Sequence, residues 1–328
     1  MSCYMVDPKN IARLVISKQN LYHKIPENQI KTLFLFGAGA SKGCGEIYPY
    51  SPPVGNELYL SLCNEYPESW GRIPSELDTI FLESFEMGMN ALWINNTDLC
   101  YQLLKELGIF FSQFMPVRNS VNAYRKIVQK LISRNVADVN LSTLNYDCLL
   151  DGEMTNAGLQ INYLFSPAGQ CPLMKLHGSC NWFLDIPGIN SHVSIGSNVW
   201  FDASIISLNT AEKVLDRLRG DSPFYPVFSL FTYGKPNPLG NTFLTFLQEE
   251  WRKMVASAKQ IAIIGVRPYP LDTHIWQPLS STPANIYCIG DNEAYEKWHR
   301  ESNRVYETKF VGNRFNESID DLLNILFP

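Results

Sequence analysis

Short runs of consecutive apolar residues punctuate this chain, separated by longer stretches in which apolar positions recur every three or four residues. Thr32 to Phe36 is the first such run; it stops at Gly37 and predicts a buried strand entering a tight turn. Asp138 to Leu144 and Pro172 to Leu176 read as strands that end in polar residues. Gln260 to Gly265 and Ala284 to Ile289 are rich in β-branched residues and predict two more. Ahead of the first strand, Ile11, Leu14, Val15 and Leu21 fall near helical spacing, so a leading helix is expected over Asn10 to Tyr22. From Asn56 to Arg134 the text predicts a series of helices, with Leu58 and Leu62, then Phe81, Phe85 and Met89, then Leu103, Leu104, Leu107, Phe110 and Phe111 on repeating faces.

Strands alternating with helices imply an α/β fold, a mostly parallel sheet with helices on both faces. The block between the first two strands is far longer than one crossover helix requires. A single domain spanning residues 1–328 is therefore expected, with its core over about 30–55 and 136–328 and a helical subdomain inserted over about 56–135. The stretch Ser179 to Pro238, rich in Asn, Ser, Pro and aromatics, is expected to form a hairpin and lid. The 56–135 block and the aromatic-rich Phe224 to Tyr233 segment both offer assembly surfaces, and either also reads as core.

Composition narrows the class of function. Of 328 residues, 45% are hydrophobic and 18% charged, enough to bury a substantial core. The formal net charge is −5, and Lys and Arg are scattered rather than gathered in a stripe, which disfavours nucleic acid as the main ligand. The eight cysteines stand far apart with no Cys-x-x-Cys pair, against a zinc ribbon or a disulfide framework. Residues 1–30 do not resemble a signal peptide, and no segment approaches the roughly 20 apolar residues of a membrane span. A reducing cytoplasm is the expected location and no membrane partner is expected.

Three polar motifs sit where predicted strands end. Gly37-Ala38-Gly39-Ala40-Ser41 is a glycine turn that could bring backbone amides to a phosphate at a helix start. The third glycine of a dinucleotide fingerprint falls on Lys42, so an ordinary dehydrogenase is disfavoured. Tight strand-to-helix packing is the plainer explanation of the same glycines. Thr143-Leu144-Asn145-Tyr146-Asp147 follows the second strand, where ligands of open α/β sheets bind; Asn145 or Asp147 could equally cap the next helix. His177-Gly178 follows the Pro172 to Leu176 run and offers a group that exchanges protons near neutrality. A lone histidine is more often structural, but its place in register with two other polar strand ends raises it above that expectation. No Gly-x-Ser-x-Gly elbow, Walker loop or His-Glu-x-x-His helix is present, and His23, His192, His274 and His299 lack metal-ligand spacing.

Taken in order, the three motifs resemble those of the sirtuin superfamily. The resemblance extends to Pro53-Val54-Gly55, to Ile263-Ile264-Gly265, and to Gly290-Asp291-Asn292, where the family usually recognises the adenosine half of NAD. It implies a Rossmann-like core with NAD as substrate rather than resident cofactor, contacting Gly37, Ala38, Gly39, Ser41, Pro53, Thr143, Gly265, Asp291 and Asn292. It further implies Asn145 and His177 as catalytic residues with Asp147 in support, and no metal. Two features depart from the protein-deacylating members. Their four-cysteine zinc module has no counterpart, since only Cys180 and Cys288 follow His177; and Gly265-Val266-Arg267-Pro268 lacks the usual small hydroxyl residue. The chain thus looks closer to bacterial sirtuin-like NAD hydrolases, many of which act in anti-phage defence and stay inactive until a partner or assembly triggers them. NAD hydrolysis is the expected activity, with a homo-oligomer or an activating protein as partner; an NAD-dependent deacylase and a non-catalytic NAD or ADP-ribose sensor are the alternatives.

Overall fold

The computed structural model describes residues 12–15, 30–134, 138–164, 171–186, 199–220, 224–229, 238–269 and 272–328. Seven strands build the main sheet: β1 (Thr32–Phe36), β2 (Val139–Thr143), β3 (Ile161–Asn162), β4 (Cys171–Lys175), β5 (Gln260–Ile264), β6 (Asn285–Ile289) and β7 (Thr308–Gly312). Their order is β7-β6-β5-β1-β2-β4-β3, and every pairing is parallel.

Between β1 and β2 come α1 (Ala38–Gly43), α2 (Asn56–Glu65), α3 (Ser75–Glu83), α4 (Phe85–Asn95), α5 (Thr97–Ser112) and α6 (Ala123–Arg134). Beyond β2 come α7 (Leu149–Asn156), α8 (Ala211–Arg219), α9 (Asn241–Ser257), α10 (Thr273–Ser281), α11 (Asn292–Glu301) and α12 (Phe315–Leu326). The arrangement is a Rossmann-like α/β fold with helices on both faces of a parallel sheet.

Every residue of β1 and of β2 is buried, the polar Thr32, Asn140, Ser142 and Thr143 included, because each strand has a helix layer on either side. Successive side chains of β1 point oppositely. Phe36 meets Tyr124 of α6 and Phe315 of α12, with ring centroids 5.2 and 6.0 Å away. On the other face Trp251 of α9 donates to the hydroxyl of Ser142, the β2 residue paired with Leu35, at 3.0 Å.

The helical block is joined to the rest through aromatic contacts, Phe111 with Tyr146 at 5.7 Å and Tyr101 with Tyr225 at 5.4 Å. Helix starts within it carry side-chain caps: Ser84 accepts from the Met87 amide, and Asn96 from that of Leu99. In the 179–238 stretch, where a hairpin was expected, Trp182–Leu184 pairs antiparallel with Ile205–Ser207, but Val199–Asp202 lies between them in sequence and pairs elsewhere; α8 follows. Residues 187–198, 221–223 and 230–237 of that stretch, including the second half of the aromatic-rich segment, lie outside the described residues.

One expectation is corrected. Ala12–Val15, inside the predicted leading helix, is a strand paired parallel with Val199–Asp202. Four apolar positions at uneven intervals were a weak helical signal, and Leu14 and Val15 suit an available strand edge as well; the remainder of Asn10 to Tyr22 lies outside the described residues. Among the described residues no helix is long and apolar enough to cross a membrane.

Register places the chemistry. Phe36 pairs with Thr143 on one side and Ile264 on the other, Thr143 with Lys175, and Ile264 with Ile289. Five strands therefore end level, and the residues just past them share one edge. The chain leaves β1 towards β2 but comes back to β5 on the opposite side of β1, so the edge at β1 is a topological switch point, where open α/β sheets bind ligands.

Candidate active site at the carboxyl edge of the sheet

The glycine turn and the Thr143–Asp147 motif meet through Asn145. Its Nδ2 donates to the Gly37 carbonyl at 2.9 Å and to Ser41 Oγ at 2.9 Å. A carbonyl can only accept, so the amide nitrogen must face Gly37. Both amide hydrogens are then committed, which leaves Asn145 Oδ1 as the acceptor able to orient a bound group. Thr143 Oγ1 accepts from the Asn145 amide at 3.0 Å and donates to the Phe36 carbonyl at 3.3 Å, fixing the loop to the strand end. Ser41 Oγ lies 3.2 Å from the phenol of Tyr124, a buried α6 residue that no sequence motif singled out.

Asp147 stands just ahead of α7 and accepts from the amide of Leu149, the first residue of that helix, at 3.0 Å. Burial pushes its carboxyl above the ordinary value, while Lys175 pulls in the opposite direction. Lys175, fully buried, ends β4. Its ammonium donates to the Asp147 carbonyl at 2.7 Å and pairs with Asp151 at 3.2 Å, and Asp151 accepts from Tyr163 at 2.5 Å. Burial alone would lower the Lys175 pKa; the Asp151 carboxylate and the neighbouring Cys148 and Cys180 outweigh it, and the shift is upward. The ion pair links α7, and the Asp147 bond the loop after β2, to the residues leading into His177. Sequence reading missed it, since a lysine ending an apolar run looks like a solvated strand end.

His177 stands two residues beyond Lys175, just as Asn145 stands two beyond Thr143, the residue paired with Lys175. The Leu176 amide continues the ladder to the Thr143 carbonyl at 3.0 Å. At Gly178, φ is +84° and a Cβ would overlap the Val227 carbonyl, so only glycine allows the 227–229 segment to lie against His177. His177 Nε2 is 3.0 Å from His274 Nε2, and Asp272 joins the pair, with one donor atom from each residue within 4.8 Å of the others. The spacing of His274 carried no metal or catalytic signal, because its partner lies 97 positions away. The clue available was Asp272-Thr273-His274, two ligating residues two apart after a strand end. Cys180, three residues past His177, is a thiol held well above its ordinary pKa by burial and so a poor nucleophile.

The glycine turn is packed against the loop after β5. A Cβ on Gly37 would lie 2.6 Å from the Gly265 carbonyl, and one on Gly265 would overlap the Ala40 amide. The Gly39 amide donates to the Gly265 carbonyl at 2.9 Å, and the amides of Gly37 and Ala40 donate to the carbonyls of Ile264 and Gly37. Tight packing thus accounts for these glycines, and in this conformation Gly39 must release Gly265 before its amide can meet a phosphate. Ala38 and Gly39 are exposed at the turn.

Pro53 is buried, and α2, which follows its loop, is tied to α1 through the Lys42–Glu57 ion pair at 2.6 Å. Asp291 caps α11, accepting from the Ala294 amide at 3.1 Å, and Asn292 donates to Glu296 at 2.9 Å. The edge therefore gathers Gly37, Ser41, Thr143 and Asn145 into one hydrogen-bonded set. His177 joins His274 and Asp272 instead, and Asp291 and Asn292 serve their own helix. A cavity of about 600 Å³ adjoins Gly39, Lys42 and Gly43 and reaches Arg314; another of about 320 Å³ lies beside α11, along Asn292 and His299. Neither is lined by Asn145 or His177.

No family model and no curated protein matches the sequence. Among solved structures, a Sir2 homologue in complex with NAD is similar over 91% of this chain and 90% of its own, at 15% identity and a TM-score of 0.48. A Sir2 homologue mutant with ADP-ribose is similar over 91% of this chain and 93% of its own, at 15% identity and 0.47. Sir2 with an inhibitor, 2'-O-acetyl-ADP-ribose and a deacetylated peptide is similar over 90% and 93%, at 14% identity and 0.45. At that degree of likeness, the function of this chain has to be argued from its own residues.

Proposed function

We propose that the chain cleaves the nicotinamide glycosidic bond of NAD, with water as acceptor, to give nicotinamide and ADP-ribose. The observation that carries this reading is the bonding of Asn145 to the glycine turn through Gly37 and Ser41, at a switch point where His177 stands on the next strand end. Two of the three motifs that resemble those of sirtuins, the glycine turn and the Thr143–Asp147 stretch, are joined here by contacts rather than by order alone.

In this reading the dinucleotide lies over the edge between β1 and β5, its pyrophosphate at Ala38, Gly39 and Ser41 with Pro53, Thr143 and Gly265 around it, and its adenosine towards Asp291 and Asn292. Bond cleavage develops oxocarbenium-like charge on the ribose. Asn145 Oδ1 orients the ribose and the attacking water, and His177 takes a proton from a ribose hydroxyl or from that water. Asp147 acts through position, holding the loop that carries Asn145. The lack of a four-cysteine module after His177 favours water over a peptide acceptor. An enzyme that consumes NAD needs restraint, and a homo-oligomer or an activating protein, in anti-phage defence, is the proposed source.

The test is to incubate purified protein with NAD and no peptide, alone and with lysate of stressed or phage-infected cells, and to follow nicotinamide and ADP-ribose by chromatography. Loss of a positioned acid or base costs about 100-fold to 10,000-fold, the fall expected for Asn145→Ala and His177→Ala. Near-normal cleavage by His177→Ala would overturn the assignment. Nicotinamide release only with acylated peptide would favour the deacylase, and binding without product the sensor.

A further inference from the structure

We propose that His177, His274 and Asp272 form a binding site for a divalent transition metal of the zinc class. Loops from two separated strands, β4 and β5, bring these residues together at the carboxyl edge. Their donor atoms all lie within 4.8 Å of one another, with His177 and Asp272 buried and His274 half-buried. Two imidazoles and one carboxylate are the ligand types that such ions prefer, and the set is the two-histidine, one-carboxylate triad that leaves further positions open.

The geometry fits without rebuilding the backbone. With metal–nitrogen bonds of about 2.0–2.1 Å, two Nε2 atoms 3.0 Å apart subtend about 95° at the ion, the angle of neighbouring ligands in a five- or six-coordinate site. A tetrahedral ion needs the rings only a few tenths of an ångström further apart. Asp272 offers a carboxylate oxygen within 4.8 Å of a donor nitrogen of each ring and has to approach by at most about 2 Å to share the ion. Each ring presents its Nε2 lone pair to the ion in the neutral tautomer that carries the proton on Nδ1.

A metal held here takes a ring nitrogen of His177. Resting on the function proposed above, the consequence is that metal binding and proton transfer by His177 compete, and the ion acts as a reversible restraint on NAD cleavage.

Co2+ added to chelator-treated full-length protein is the probe, followed by its visible ligand-field absorption. One equivalent should bind saturably, without the strong charge-transfer bands of thiolate ligation, and NAD cleavage should fall at least about tenfold as the site fills and recover on chelation. His274→Ala and Asp272→Asn should each weaken Co2+ binding by about tenfold or more, with His274→Gln as a gentler variant if the first fails to fold. Absence of saturable binding by the wild-type protein, thiolate bands, or equal binding by folded variants would overturn the site. If no sample cleaves NAD yet Co2+ binds as described, the hydrolase reading fails and the metal site stands.

Discussion

Lys175 is the residue whose removal should be felt most. With its ammonium fully buried against Asp151, Lys175→Met leaves a carboxylate without its partner in the interior, a change that costs about 3–5 kcal/mol. Denaturant titration should show that loss, and adding Asp151→Leu should recover much of it, because removing both charges is far cheaper than removing one. An unchanged midpoint in the single variant would contradict the pairing. At this scale the site was half legible. Gly37, Ser41, Thr143, Asn145 and His177 were readable because each ends an apolar run or follows one closely. Lys175, Tyr124, Asp272 and His274 were not, because what makes them matter is a partner distant in sequence: Asp151, Ser41 and His177 lie 24, 83 and 97 positions from Lys175, Tyr124 and His274 respectively.

Among elements, α7 offers a pH test. Asp147 holds the first amide of that helix while its own carboxyl is raised by burial, so the folded state keeps the Asp147 proton more tightly than the unfolded chain. Its contribution is then fully present below the ordinary aspartate value of 3.8 and is lost as pH rises through the higher folded value. Asp147→Asn keeps an oxygen for the Leu149 amide and carries no charge, so its stability relative to wild type should rise as pH climbs from about 3.8. Parallel stability curves would refute this. Strands β1, β4, β5 and β6 were readable from the sequence because a parallel strand covered on both faces is a mostly apolar run, and β2 because Val139 and Leu141 alternate with polar residues up to a polar strand end. β3 and β7 were not. β3 has two residues, and β7 is only partly buried, with an exposed Lys309 breaking its apolar run. The Ala12–Val15 strand owes its form to Val199–Asp202, a partner that local spacing could not reveal.

For the whole molecule, one contiguous core runs from Leu33 and Ile263 in the sheet to Leu62, Phe81, Met89 and Leu104 in the helical block. The block and the sheet should therefore melt together, giving one calorimetric transition whose calorimetric and van't Hoff enthalpies agree; two resolved transitions would show that the block is a separate unit. The parallel sheet followed from the order of predicted elements, whereas the strand order, with β5 returning beside β1, is a tertiary choice that places the switch point. That return brings Gly265 against the glycine turn, with its carbonyl holding the Gly39 amide. On the NAD-cleaving reading proposed above, a phosphate that meets the Gly39 amide binds in proportion to the fraction of copies with the two loops already parted: if one copy in about ten is open, apparent affinity falls about tenfold, or about 1.4 kcal/mol. Whatever presses the loops together or draws them apart could thus retune the concentration at which the protein responds, while leaving Asn145 and His177 untouched.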